Sequence, residues 1–186
     1  MSKSIAYLNL IRFFNPIGFW LLLWPGLWGL FLSGNMDISY FTIVVLGSFL
    51  TRSVGCAIND MIDIQYDKKV DRTKNRPLAN GDLTFKEALI FTIILATACL
   101  YLLSLTNMQT ICLVLFVAVP MIVIYPLMKR FIAVPQLFLG ATFGLSLPIS
   151  YSMAEGYVSL EIIFLYLGCI FWILAYDSYY ALCDIE

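Results

Sequence analysis

Two sets of side chains have the types and spacing that chemistry needs. The first, in "NDMIDIQYDKKVDRTKNRP", places Asn59, Asp63 and Asp67 at i, i+4 and i+8, with Asp60 beside them. The second, in "YDSYYALCD", places Asp177, Tyr180 and Asp184 at i, i+3 and i+7. On an α-helix either spacing forms a stripe along one face. Carboxylates this close repel one another, and burial without a partner drives them to protonate. A divalent cation removes both penalties. Oxygen donors, in a chain with no histidine, favour Mg2+ (or Mn2+ and Ca2+) over zinc. Mg2+ ordinarily shares its shell with waters and substrate phosphates, and Lys68, Lys69, Arg72, Lys74 and Arg76 follow the first stripe closely. The pattern predicts a site for Mg2+ and a phosphorylated ligand. One charged loop between apolar runs is ordinarily just solvated; the second acidic stripe argues against that reading. The lack of histidine also removes zinc–histidine chemistry and the commonest general base.

The elements that must hold these stripes read as membrane helices. The chain is 61% hydrophobic, 16% aromatic and only 12% charged, where a soluble domain has about 25% charged residues. Apolar runs fall near 16–33, 40–58, 86–105, 110–127, 132–152 and 158–177, each close to the ~20 residues that cross a ~30 Å hydrocarbon core. Backbone polar groups must be satisfied within each run, so the runs are helices. Lys3 and Arg12 precede the first run with no small-residue cleavage site, so it reads as a span rather than a signal peptide. With the amino terminus inside, Lys3, Arg12, the 59–86 loop and Lys129-Arg130 share one side, and Arg52 lies toward it. The opposite loops carry only Asp37 and Glu155, as the positive-inside rule expects. The fold class is therefore an all-α integral membrane protein of about six transmembrane helices, a single membrane-embedded domain over 1–186.

Both stripes then lie at the same membrane face, where they can meet across one cavity. Trp20, Trp24 and Trp28 recur along one helix face. They either line that cavity, shielding a cation through their rings, or pack and anchor at the interface. Pro120, Pro126, Pro135 and Pro148 are expected to kink or end helices. The scattered cysteines (Cys56, Cys99, Cys112, Cys169 and Cys183) read as buried in the membrane rather than as ligands or disulfides. No domain-scale basic patch exists, which argues against nucleic acid as a partner.

These residues carry a resemblance. "NDMIDIQYDKKVDRTKNRPL" resembles the first aspartate-rich motif, N-D-x-x-D-x-x-x-D, of the UbiA family of intramembrane prenyltransferases, and "DSYYALCD" resembles the second, D-x-x-Y-A-x-x-D. "NPIGFWLLLWPGLWGL" (15–30) and "YPLMKRFIAVPQLFLGATFGLSLPI" (125–149) are similar to the 4-hydroxybenzoate branch in particular. Phe14-Asn15 departs from the Asp-Lys that this branch often has before Pro-Ile-Gly.

The resemblance implies Mg2+-dependent transfer of a polyprenyl group from polyprenyl diphosphate to 4-hydroxybenzoate, in ubiquinone biosynthesis, at a bacterial (or mitochondrial) inner membrane. It implies that Asn59, Asp63, Asp67, Asp177 and Asp184 serve the metal–diphosphate complex. Asp60 is expected to hold a basic partner, and Arg72 and Arg76 to contact the diphosphate. Arg12 and Arg52 are candidates for the acceptor carboxylate, which suits a guanidinium fork. Tyr180 either contacts the diphosphate or the developing cation, or packs. The resemblance also implies a bundle of roughly nine helices, so a chain that stops at Glu186 is expected to be an amino-terminal fragment. Two alternatives stay open: a sibling enzyme with a naphthoate, homogentisate or haem acceptor, and a divalent-cation transporter. The transporter predicts acidic residues running across the bilayer, whereas here they gather at one face.

Overall fold

A computed structural model describes residues 2–128, 131 and 134–182. Short α1 (Lys3–Leu10) leads to α2 (Ile17–Leu32), α3 (Ile38–Asp67) and α4 (Phe85–Ser104). Then come α5 (Met108–Leu113), a π turn (Val114–Ala118), α6 (Val119–Met128), α7 (Pro135–Gly144), α8 (Ser146–Glu155) and α9 (Leu160–Leu182). Five stretches are long and apolar enough to cross a bilayer: α3, α4, Met108–Tyr125, Pro135–Glu155 and Leu160–Tyr180; α2 is a shorter apolar helix. They correspond to the six expected runs, and the chain is an integral, multi-pass membrane protein. Lys129, Arg130, Cys183 and Asp184 lie outside the described residues.

Local chemistry sets the helix ends. Asp37 caps α3 by accepting the Ser39 N–H at 2.7 Å, and the Ser39 hydroxyl and N–H hold its carboxyl below the usual range. Thr84 and Glu87 form a reciprocal capping box at the start of α4. Asn107 caps α5 through the Thr110 N–H at 2.9 Å. Gly156, at φ +78°, ends α8 in the left-handed conformation that glycine adopts without strain.

The prolines act in different ways. Pro120 has no N–H to give the Phe116 carbonyl, and its ring crowds that carbonyl. The π turn immediately before it widens the helix there. Pro148 likewise cannot donate to the Gly144 carbonyl, and the fifth run breaks at Leu145 into α7 and α8. Pro135 opens α7 at its first turn, whereas Pro126 falls inside α6 without ending it. The largest boundary difference is α3, which continues past its expected end near 58 to Asp67. The polar turns leave the apolar run but stay helical, because α1 and the following loop bury one face of them. The cysteine expectation needs a correction. Cys56 and Cys169 are buried and Cys99 is half-buried, but Cys112 is exposed on α5.

The most extensive helix pairings are α7 with α9, α2 with α8, and α3 with α4. Lipid gives no hydrophobic drive for such pairing, so close backbone approach and polar ties matter more. A Cβ at Gly29 would lie 2.2 Å from the Leu147 carbonyl oxygen, and one at Gly140 2.6 Å from that of Ile170. The Ser146 hydroxyl donates to the Leu22 carbonyl at 2.7 Å, and Asn107 Nδ2 to those of Ser152 (2.7 Å) and Met153 (3.0 Å). At the opposite end, Ala6 and Leu10 of α1 pack with Ala57, Leu78, Leu83 and Ala88.

Gly29→Ala is therefore expected to push α2 off α8 and destabilise the protein by about 1–3 kcal/mol. Gly47→Ala, inside α3 with nothing within 4 Å of the added Cβ, should not destabilise, and helix propensity favours it by about 0.5–1 kcal/mol. Thermal unfolding of both variants in detergent, side by side, measures the difference.

Candidate active site

The last turns of α3 bring Asp60, Asp63 and Asp67 to one face, all three buried. Asp60 is 1% exposed, so its charge must be met within the protein. Arg12 Nη2 donates to Asp60 Oδ1 at 2.6 Å. Arg76 Nη1 donates to the same oxygen at 3.1 Å and to Asp67 Oδ2 at 2.8 Å. Asp60 Oδ2 is buried and has no hydrogen-bond partner among the described residues.

Both arginines are placed by local structure. Arg12 follows α1 in the left-handed conformation, φ 59°. Its N–H bonds the Asn9 carbonyl at 3.1 Å, and the Phe13 N–H bonds that of Leu8 at 3.0 Å. This is a helix-ending motif in which glycine usually occupies the Arg12 position. Arg12 Nη1 adds a 2.9 Å bond to the Asn9 carbonyl. Arg76 sits in the 68–84 loop, which is built of turns and anchored by buried Thr73, Pro77, Leu78 and Leu83. The Thr73 hydroxyl donates to the Asp67 carbonyl at 3.1 Å. The loop also carries Arg72, which is exposed. Lys3 pairs with Glu87, tying α1 to the start of α4.

Arg52 lies two turns earlier on α3. Its guanidinium stands 5.5 Å from the centre of the Phe143 ring and fills the space beside Gly18, where a Cβ would fall 2.3 Å from Nε. Arg52 and Arg12 line one cavity of about 220 Å³, together with Phe19, Trp20 and Phe49. A larger cavity of about 440 Å³ runs between α2, α3, α4, α7, α8 and the α5–α6 run, and among the described residues no charged side chain lines it. Trp20 thus borders the arginine-lined cavity. Trp24 stacks on Trp20, with centroids 6.3 Å apart, and Trp28 meets Trp172 at 5.3 Å.

Asp177 is half-buried on α9, and Tyr180, farther along, is 50% exposed. Tyr125 on α6, not singled out in the sequence, lies within electrostatic reach of Asp63, Asp177 and Arg52. Its ring stacks on Phe138 at 6.4 Å, and with Phe143 and Tyr176 it packs against Leu21, Leu139 and Ile173. The only signal that could have marked it is its place at the head of the "YPLMKR" stretch.

The donor set suits Mg2+. Asn59, Asp63 and Asp67 offer hard oxygen atoms on successive turns of one helix, and Mg2+ takes one or two carboxylates while completing its shell with water and phosphate. Among the described residues no three His, Cys, Asp or Glu side chains converge into a cage.

Comparison with known proteins agrees with this geometry. The chain is 44% identical over 188 residues to the 4-hydroxybenzoate octaprenyltransferase of Polynucleobacter necessarius subsp. necessarius (strain STIR1), covering 98% of this chain and 64% of that protein. It is 45% identical over 185 residues to that of Pasteurella multocida (strain Pm70), covering 98% and 63%. The chain thus spans a little under two thirds of the length of these relatives. A solved digeranylgeranylglyceryl phosphate synthase superposes with a TM-score of 0.76 at 25% identity, over 94% of this chain and 61% of that one. A UbiA homologue from Archaeoglobus fulgidus, bound to GPP and Mg2+, shares the fold with a TM-score of 0.74 at 20% identity, over 92% and 61%. Residues 22–186 match the UbiA prenyltransferase family. By its helices, its paired acidic stripes and this match, the chain belongs to the UbiA prenyltransferase family.

Proposed function

We propose that this protein transfers a polyprenyl group from a polyprenyl diphosphate to 4-hydroxybenzoate, at the ring carbon ortho to the phenolic hydroxyl, with Mg2+ as cofactor. Residues 1–186 belong to one membrane-embedded domain, with the 68–84 loop on the inner side of a bacterial (or mitochondrial) inner membrane, in the pathway to ubiquinone. The observation that carries this reading is the aromatic-walled cavity holding Arg12 and Arg52 beside the acidic end of α3. An acceptor that is both aromatic and a carboxylate matches those walls and those cations. The names of the relatives point to the same acceptor.

Asn59, Asp63, Asp67, Asp177 and Asp184 hold the metal–diphosphate head, and Arg72 and Arg76 face its oxygens. Bound Mg2+ neutralises the charge that builds on the departing diphosphate. The allylic C–O bond breaks with its electron pair leaving on the diphosphate. The ring carbon supplies the pair for the new C–C bond and then loses its proton. No protein nucleophile is required. Arg12 already serves Asp60, so Arg52 is assigned to the acceptor carboxylate, whose planar oxygens suit its fork. Phe19, Trp20 and Phe49 orient the ring, and Tyr125 offers a π face near the developing cation. Tyr180 belongs to the diphosphate end.

Asp63→Asn or Asp177→Asn, in the protein as its gene encodes it, should lower Mg2+-dependent prenyl transfer by about 100-fold or more, with membrane insertion intact. Full activity in both variants would remove the metal role.

Arg52→Gln should raise the KM for 4-hydroxybenzoate by about 10–100-fold, the loss of one charge-assisted hydrogen bond. The KM for the diphosphate should stay within about twofold. Steady-state kinetics in membranes, with other aromatic acceptors tested one at a time, decides both the residue and the acceptor.

A further inference from the structure

The shared position of Arg76 carries a further inference, which rests on the metal reading above. One nitrogen, Nη1, bonds both Asp60 Oδ1 (3.1 Å) and Asp67 Oδ2 (2.8 Å). A divalent cation at Asp67 would compete with that guanidinium for the same oxygen. Asp60 also carries a buried oxygen, Oδ2, with no partner among the described residues. An unmet acceptor at that burial is costly, and a guanidinium has donors enough to meet it while staying on Oδ1. Arg12 cannot easily fill this role, because its backbone is locked at the end of α1 and its Nη1 is engaged with the Asn9 carbonyl.

We propose that Asp60 is a positioning residue that provides a second berth for Arg76, so that Arg76 and a divalent cation exchange at Asp67. When the cation takes Asp67 Oδ2, Arg76 shifts fully onto Asp60 and satisfies Oδ2. It stays beside the cation, where diphosphate oxygens arrive. The exchange keeps Asp67 neutralised at every stage and delivers an arginine to the phosphate only where metal has bound. Loading of metal and placement of the cationic phosphate contact are thereby coupled.

The test measures Mn2+ binding to the purified protein by electron paramagnetic resonance, with no diphosphate present. Arg76→Gln should bind Mn2+ about 3–10-fold more tightly than the parent, because the competitor is gone. The same variant should bind a prenyl diphosphate more weakly. Lys74→Gln removes a like charge from the same loop, from a side chain that pairs with exposed Asp71, so it should change Mn2+ affinity by less than twofold. Asp60→Asn should weaken Mn2+ binding by forcing Arg76 onto Asp67, and that effect should vanish in the Asp60→Asn/Arg76→Gln double variant. If Asp60→Asn does not fold, the comparison of Arg76→Gln with Lys74→Gln decides alone. Parent protein that binds Mn2+, with Arg76→Gln no tighter than Lys74→Gln, overturns the exchange and leaves the metal site standing. Parent protein that binds no Mn2+ overturns both.

Discussion

A carboxylate with 1% exposure, at the edge of a bilayer, stays charged only if cations meet it, and Asp60 is met by two. That requirement organises the inner end of the molecule. Arg12 comes from the end of α1 and Arg76 from the 68–84 loop, so one side chain on α3 draws in two segments that lie outside the transmembrane helices. A buried ion pair is weak evidence for net stability, since desolvation offsets most of the attraction. It is better evidence for specificity, because removing one partner leaves a charge that cannot be solvated, at about 3–5 kcal/mol. The apolar set of Ala6, Leu10, Ala57, Leu78, Leu83 and Ala88 packs the same segments and supplies the burial that makes the charges demand one another.

The backbone of Arg12 shows how firmly this lattice is specified. A non-glycine residue in the left-handed region costs of order 1–3 kcal/mol and persists only where its surroundings over-determine it. Glycine would end α1 with less strain but could not reach Asp60. The side chain therefore explains the backbone: helix termination, loop placement and charge pairing meet at one residue. The long α3 is the counterpart. Its helical repeat carries Asp60, Asp63 and Asp67 out of the apolar run on one face, which is possible only because the helix does not stop where hydropathy falls.

The periodic and local features were legible in the sequence. The six apolar runs and the helical spacing of the first acidic stripe follow from hydropathy and periodicity, and both rest on neighbours within a few turns. What was not legible depends on distance in the chain or on backbone geometry. Arg12 reaches Asp60 across 48 positions and Arg76 across 16, and no spacing rule connects them. The reading of Arg12 as an acceptor contact and of Arg76 as a phosphate contact therefore did not include their bonds to acids. The end of α3 was misplaced because polar composition hid a helix held by tertiary burial. Tyr125 was missed because a lone tyrosine in an apolar run gives no periodic signal; only the packing of α6 places it near Asp63, Asp177 and Arg52. Cys112 was read as buried because hydropathy does not distinguish a lipid-facing position from a core one.

The two cavities show why size is a poor guide to the reacting centre in this fold. The larger, about 440 Å³, has no charged lining among the described residues, and a diphosphate there would lose its hydration without gaining a counter-charge. The smaller, about 220 Å³, is bounded by two guanidiniums and by aromatic rings. The proposed heterolysis separates charge, so fixed cations and carboxylates in low dielectric are the groups that suit it. In a membrane protein such groups are confined to places where they can pair or reach water. Here those places are the last turns of α3, the loop that follows it and the facing part of α9. Because Arg12 borders the smaller cavity and also bonds Asp60, the proposed acceptor pocket and acidic stripe share a side chain. A shift in the charge lattice cannot then leave the wall of that pocket unchanged.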